Sequence, residues 1–447
     1  MSKEKVAIGE EGLFDAKKLG TSKVIILGLQ HMFAMFGATV VVPALTGLDV
    51  STTLLFAGLG TLLFHFLAKG KVPAFLGSSF AFLAGYWAIA PNGEAELLPY
   101  ACLGVACAGL LYLVLAGLIK AFGTAKVMKF FPPIVTGPII IAIGLNLSQS
   151  AIDNCAASWW IAVIAIIIVI VCNIWGKGMI KIVPILMGVV GSYLIAAVTG
   201  NVDFTPVKEA AWIGLPIHFE NTVFSLFGKA DMSLVITSII TIMPIALATM
   251  VEHIGDISAI SSTVGRNYIK DPGLHRTLIG DGLATTVASL FGAPANTTYG
   301  ENTGVLSLTK VYDPFVIRIA AFFAILFSFS PKVGAVISCM PTATLGGVSL
   351  VLYGMISAVG VRNIVENKVD FSKSRNVIIA ALILVLSIGI NYSAAGAIAF
   401  NIGSIKISLS GLAVGALTGI ILNAILPGKD YNFDEDEPSD TGVNFEV

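Results

Sequence analysis

Two stretches decide the fold: Met250-Val251-Glu252-His253-Ile254-Gly255-Asp256 and, about forty residues on, Asn296-Thr297-Thr298-Tyr299-Gly300-Glu301-Asn302-Thr303-Gly304. The first sets two carboxylates and an imidazole into otherwise apolar sequence. The second adds a carboxylate to a run broken by glycine. A charge at bilayer depth costs about 2.5–3.5 kcal/mol on insertion scales, so such groups face a cavity and act there. Glu252 and Asp256 are four residues apart and share one face of a helix.

The surrounding chain supplies the bilayer. Of 447 residues, 56% are hydrophobic and 12% charged. Soluble domains carry about 25% charged residues, which excludes that class. A net charge of −1 speaks against a nucleic-acid partner. The five cysteines, Cys102, Cys107, Cys155, Cys172 and Cys339, have neither paired nor metal-ligand spacing and read as small packing residues. A polar leader of some twenty residues precedes a first apolar run too long for a signal-peptide core, so no cleavable signal is expected.

Apolar segments of spanning length fall at 24–45, 51–68, 72–90, 99–119, 131–149, 158–175 and 182–199. A polar loop from Asn201 to Asp231 follows. The second series falls at 233–260, 277–292, 295–310, 314–330, 341–360, 376–392 and 407–426. The tail from Asp430 to Asp440 is acidic and reads as disordered. The expected fold is thus an all-α polytopic membrane protein of fourteen segments, of which the third and tenth are short and broken by Gly and Pro. With alternating segments and an inside N-terminus, 22 of the 26 Lys and Arg face the cytoplasm, and only Lys208, Lys229, Lys332 and Lys406 face out. That asymmetry puts both termini inside.

The halves repeat. Leu29-Gln30-His31 matches Val251-Glu252-His253 at an offset of 222, and Gly58-Leu59-Gly60 matches Gly280-Asp281-Gly282 at the same offset. Leu76-Gly77-Ser78-Ser79-Phe80 matches Tyr299-Gly300-Glu301-Asn302-Thr303 at 223. Seven segments per half is odd, so the halves insert with opposite topology. Secondary transporters use this inverted design, with substrate near the midplane where the repeats meet.

The broken segments each read as an extended stretch (Pro73 to Ser79, Pro294 to Gly300) running into a half-helix that starts mid-membrane. Free N–H groups at such a start favour acceptor atoms of a ligand; two kinked helices packed through small residues are the other reading. Glu252 and Glu301 form the candidate pair, able to accept hydrogen bonds when ionised and to donate one when protonated. Two carboxylates in one partly desolvated cavity raise the pKa of at least one, which suits a proton site. Asp256, a turn beyond Glu252, and Asp281 in the next segment could relay the proton or be structural. His31 and His253 hold matching repeat positions, and His65 reads as a packing residue. With one imidazole, Glu252 to Asp256 is not the H-E-x-x-H zinc pattern, and no metal or cofactor is expected.

Glu301-Asn302-Thr303-Gly304-Val305-Leu306-Ser307-Leu308-Thr309-Lys310 resembles the signature of the nucleobase–ascorbate transporter (nucleobase–cation symporter 2) family: an acid or amide, N-x-G, four residues, T and a base. Gln30-His31 is similar to that family's first-helix Q-H pair. Gly70 to Phe82 is similar to its bacterial uracil permeases. The resemblance spans residues 23 to 426. It implies a seven-plus-seven inverted repeat divided into a core (segments 1–4 and 8–11) and a gate (5–7 and 12–14), in a homodimer of the cytoplasmic membrane. The implied boundaries are a leader 1–22, core 23–149 running into gate segment 5, gate 150–200, external loop 201–231, core 232–335, gate 336–427 and cytoplasmic tail 428–447. The implied activity is proton-coupled uracil import by alternating access, with Na⁺ as the other admissible coupling ion and xanthine or another nucleobase as the other substrate. The implied uracil contacts are Glu252, Glu301, the backbone N–H groups of Phe80 and Gly300, and Tyr299 at the border. Glu252, Asp256, His31 and Asp281 would handle the proton, supported by Gln30, Asn302 and Ser78. Some uracil permeases carry His where this chain has Asp256. An anion exchanger on the same plan would put neutral or basic groups at Glu252 and Glu301. An enzyme would need a nucleophile–base pair or metal set that the sequence lacks.

Overall fold

The computed structural model describes residues 12–177, 179–402, 405–429 and 431, without the side chains of Met179, Ile182, Glu301, Leu308, Asn401, Ile402 and residues 405–408. The acidic tail, Tyr431 and residues 428–429 aside, lies outside the described residues. The principal helices are α1 (Thr21–Thr46), α2 (Val50–Leu67), α3 (Leu83–Ile89, led in by a 3₁₀ turn Phe80–Phe82), α4 (Leu98–Phe122), α5 (Pro133–Ala156), α6 (Trp159–Ile174) and α7 (Pro184–Val198). The second series is α8 (Met232–Val264), α9 (Leu274–Leu290), α10 (Gly300–Thr309), α11 (Pro314–Ser328), α12 (Thr342–Glu366), α13 (Ser374–Asn391) and α14 (Gly411–Ile425). Strand β1 (Leu76–Ser78) precedes α3, and β2 (Asn296–Thr298) precedes α10.

Local chemistry sets the helix ends. Asp49, Asp231 and Asp313 accept the N–H of Thr52, Ser233 and Phe315 at 2.6, 2.8 and 2.9 Å, capping α2, α8 and α11. Gly47 and Gly265, both left-handed, end α1 and α8. Among the described residues, seven helices are individually long and apolar enough to cross a membrane. The count reaches eight if α11 and the helix Pro331–Ser338, bent by 86°, act as one. The chain is a multi-pass membrane protein.

The packing has two-fold character. Helix α9 lies on α4 and α2, α11 lies on α2 and α1, and α8 lies on α4. Separately, α5 pairs with α12 in the most extensive helix contact, α6 packs on α12 as α13 packs on α5, and α6 meets α7 as α13 meets α14. Adding seven to each helix number, cyclically, exchanges these pairs. The α5–α12 seam is lined by small residues: a Cβ on Gly144 would come 2.2 Å from the Tyr353 carbonyl oxygen, and one on Gly360 would come 2.6 Å from the Ile141 nitrogen. Without a hydrophobic drive between helices in lipid, such close approach supplies the packing.

β1 and β2 pair antiparallel with Gly77 opposite Thr297. Beyond the strands, Ser79 N–H donates to Ala295 C=O at 3.0 Å and Tyr299 N–H to Phe75 C=O at 2.9 Å. These two bonds exchange under an offset of 220, so a local two-fold axis passes beside the Gly77–Thr297 pair. The sequence match at 223 is therefore displaced by three here. The ends of α2 and α9, Leu67 and Leu290, are 223 apart, whereas the strand starts, Leu76 and Asn296, are 220 apart. The α9–β2 connection is three residues shorter than the α2–β1 connection, which resets the register.

One feature departs from the sequence reading. The last segment, expected from 407, begins as a helix only at Gly411. Residues 405–410 form β4, paired antiparallel with β3 (Ala397–Ile402), because alternating apolar and polar residues suit a strand as well as a span. The polar loop is partly ordered: Gly214 N–H donates to Phe329 C=O at 2.9 Å and Lys332 N–H to Ala211 C=O at 3.1 Å. The leader is docked from Leu13 onward, with Ala16 N–H donating to Asp313 at 2.8 Å and Arg266 stacked 3.7 Å over Phe14.

Gly144→Val should push α5 off the α12 backbone and destabilise the fold by about 1–3 kcal/mol, read as a lower melting temperature in detergent. An unchanged melting temperature would refute the close-packed seam.

Candidate functional site

The strand pair builds the site. Each strand is three residues long and fully buried, so its polar groups must find partners within the protein. Pairing satisfies one edge and side chains serve the other. Leu76 N–H donates to Thr61 Oγ1 at 2.9 Å, Thr285 Oγ1 donates to Asn296 C=O at 2.9 Å, and Thr298 N–H donates to Asp281 Oδ1 at 2.9 Å. Tyr299 closes the turn, its hydroxyl donating to Ser78 C=O at 2.7 Å, while Ser78 Oγ donates to Thr39 C=O at 2.9 Å. At Gly77 a Cβ would come 2.6 Å from Thr39 Oγ1 and 2.7 Å from the Tyr299 ring. Only glycine fits there.

Just beyond this pair lies a cavity of about 100 Å³. One water needs about 10–15 Å³ and drug-sized ligands occupy about 300–1,000 Å³, so the space suits one small ring. One wall is polar: Ser78, Ser79 and Phe80, Thr297 to Gly300, and Glu252, Gly255 and Asp256 of α8. The opposite wall is Ile140 of α5 with Leu352, Met355, Ile356, Val359 and Asn363 of α12, apolar except for Asn363. Both helix starts, at Phe80 and at Gly300, face the same space. The Phe80 ring meets the Tyr353 ring edge-on at 5.7 Å.

Of the residues singled out from sequence, Glu252, Asp256, Phe80, Ser78, Tyr299 and Gly300 line this cavity. Glu301 is the second residue of α10, and its side chain lies outside the described part of the structure. Asp281, fully buried, holds the β2 backbone and does not line the cavity. His31 is also buried away from it: Asn302 Nδ2 lies 3.2 Å from His31 Nδ1 and donates to His31 C=O at 3.1 Å, tying α10 to α1. Gln30 Oε1 and His31 Nε2 are buried without a hydrogen-bond partner among the described residues. His65 Nε2 donates to Ala74 C=O at 2.9 Å and steadies the approach to β1.

Thr298 was not singled out by the sequence, yet it connects the network. Its hydroxyl donates to Asp256 Oδ2 at 3.0 Å and lies 3.2 Å from His253 Nδ1, which in turn stands 3.4 Å from Asp281 Oδ2. One hydroxyl proton serves one acceptor, so the network assigns the other hydrogen to His253 Nδ1. The result is a donor chain from His253 through Thr298 to the cavity carboxylate Asp256. Ser79, also missed, lines the cavity with its buried Oγ unpartnered among the described residues. A run of Asn-Thr-Thr after Pro294 was the available signal for Thr298. Nothing local marked Ile140, Met355 or Asn363, which arrive from distant helices.

A family model described as Permease family matches residues 22–396. The chain belongs to this permease family. It is similar to the uracil permease of Bacillus caldolyticus, at 42% identity over 93% of this chain and 95% of that one. It is also similar to the uracil permeases of Bacillus subtilis (strain 168), at 39% over 92% and 95%, and of Escherichia coli (strain K12), at 38% over 90% and 91%. Its fold resembles the transmembrane domain of the cyanobacterial bicarbonate transporter BicA, with a TM-score of 0.61 at 14% identity over 84% of this chain and 97% of that one. It also resembles SLC26A9, with a TM-score of 0.63 at 14% identity over 92% and 66%. This permease is a transport protein and not an enzyme.

Asp281→Leu leaves the Thr298 N–H buried without an acceptor and should cost about 1–3 kcal/mol. Asp281→Asn keeps an acceptor oxygen and should stay near the parent chain. Melting temperatures of the two variants check this, and equal losses would show that Asp281 does not hold β2 through that bond.

Proposed function

We propose that this permease imports uracil across the cytoplasmic membrane together with a proton, by alternating access, as the nucleobase–cation symporter resemblance implies. The observation that carries the reading is the division of the cavity: hydrogen-bonding groups on one wall, an apolar face on the other, and room for a single ring between. Uracil is flat and alternates N–H donors with carbonyl acceptors. Carboxylates at Glu252 and Glu301 take the donors, the N–H groups at the starts of the Phe80 turn and of α10 meet the carbonyls, and Phe80 and Tyr299 bound the ring. The uracil permeases to which the chain is similar support this substrate over xanthine or other nucleobases. Acids at Glu252 and Asp256 stand against an anion substrate, whatever the fold's neighbours carry.

In this reading the chain crosses fourteen times, with the β1–α3 and β2–α10 units as broken spans and both termini cytoplasmic. Helices α1–α4 with α8–α11 form the core that carries the polar wall, and α5–α7 with α12–α14 form the gate, in a homodimer. Rocking one against the other opens the cavity to either side. Glu252 is the proton carrier, with Asp256 a turn away and His253, Thr298 and Asp281 behind it; His31 with Gln30 and Asn302 holds α10 in register. Coupling to Na⁺ is the other outcome that the test separates.

Glu252→Gln mimics the protonated acid. It should keep uracil exchange in proteoliposomes while losing accumulation driven by a pH gradient. Normal pH-driven accumulation in that variant would move the proton site elsewhere, and accumulation that follows a Na⁺ gradient in the parent chain would replace the coupling ion. Glu301→Gln should abolish uracil binding by isothermal titration, because an amide cannot present two acceptors to the ring's N–H edge. Parent-like affinity would assign Glu301 a structural role.

A further inference from the structure

A second cavity, about 580 Å³ and so several times larger than the first, opens on the flank of the molecule. Its walls are Leu111, Leu115 and Leu118 of α4, Leu247 and Met250 of α8, and Ile420 of α14. Val114, Phe122 and Phe130 at its rim are largely exposed, so it faces the surrounding bilayer and not the protein interior. The lining is hydrocarbon with one exception, Lys126, at the end where α4 finishes. Lys120 and Lys129 stand within a few residues of it. All three are exposed, and none has an ion-pair partner among the described residues. By the charge asymmetry of the loops, this is the cytoplasmic end.

We infer that this crevice is a binding site for one anionic phospholipid, an acyl chain lying along α4, α8 and α14 and the headgroup phosphate at Lys126. An apolar slot that ends at Lys126, a cation without an ion-pair partner among the described residues, matches that one chemistry: a zwitterionic lipid would fill the slot but bring its own cation to the lysine, and a free phosphate would have no use for the slot. Basic groups beside a membrane span recognise anionic headgroups in this way. The position gives the lipid mechanical reach. Met250 lies two residues before Glu252, about 200° round the helix, so the acyl chain packs on the back of the helix whose front carries the cavity acid. The slot is also bounded by α4 and α8 on one side and α14 on the other, which belong to the two sets of helices flanking the main cavity.

The test reads lipid retention and needs no transport assay. The full-length protein is reconstituted in mixed phosphatidylcholine and phosphatidylglycerol vesicles, re-extracted in mild detergent, and its bound lipids are counted by native mass spectrometry. One phosphatidylglycerol per chain is expected to survive in preference to phosphatidylcholine. Lys126→Gln should weaken its retention about five-fold, the weight of one lysine at an anionic headgroup, while Lys208→Gln leaves it unchanged. Val114→Trp, which occupies the rim without touching the charge, should lower retention too; because Val114 is exposed, that variant is expected to fold. Equal retention of both lipids, or retention indifferent to both Lys126→Gln and Val114→Trp, would overturn the site. Inorganic phosphate that displaces the lipid's advantage without lowering the acyl count would also overturn it, by reducing the site to a phosphate contact. Protection of Val114→Cys from a membrane-soluble maleimide in vesicles free of phosphatidylglycerol would overturn it by showing a second copy of the chain on this face.

Discussion

Everything at the site follows from one constraint: two three-residue strands inside a membrane protein must find partners for every backbone N–H and C=O without water. Each strand is too short to be stable alone and would leave polar groups in hydrocarbon. They meet their demand by pairing with each other across the repeat, Gly77 against Thr297, and by recruiting Thr61, Thr285 and Asp281 from α2 and α9. Because the partners are repeat equivalents, the pair can exist only when both halves are docked. The polar wall of the cavity is therefore also the place where the protein's two halves are joined.

That junction explains the asymmetry of the cavity. Strand ends and half-helix starts are polar by nature, since they leave N–H groups facing the open space. They sit on one wall with Glu252 and Asp256. The facing wall is side-chain hydrocarbon from α5 and α12, which pack on each other through glycines and present Ile140, Leu352, Met355 and Val359 outward. A polar wall binds a ring by its edge, and an apolar wall can separate from the ring without breaking hydrogen bonds. This is a workable arrangement for a carrier, which must release what it binds. The buried chain from His253 through Thr298 to Asp256 ties the acid-bearing helix α8 to β2.

Much of this was legible in the sequence. Charges in apolar segments marked Glu252 and Asp256, which line the cavity, glycine and proline marked both places where a strand stands before a helix, and repeated short matches marked the two halves. The composition fixed the membrane class. Other parts were not legible. The repeat register at the strands was misaligned by three residues, because the sequence match counted through a connection whose length differs between the halves. Residues 405–410 were absorbed into a span, because an alternating apolar stretch satisfies both a hydropathy window and a strand. That Asp281 faces a backbone N–H was not legible either, since an acid in an apolar helix looks the same whether it faces a cavity or a backbone N–H.

The sequence by itself determined what each segment could tolerate: which stretches can lie in lipid, where a helix must stop, and where an acid stands out. Those are properties of neighbouring residues in a chain and of their free energies of transfer. The tertiary structure decided what each polar group faces. Thr298 reaches both His253 and Asp256 only because β2 is pinned to α9, and Asn363 joins the cavity only because α12 crosses behind it. Such juxtapositions link residues tens to hundreds of positions apart, where spacing in the chain carries no geometric information.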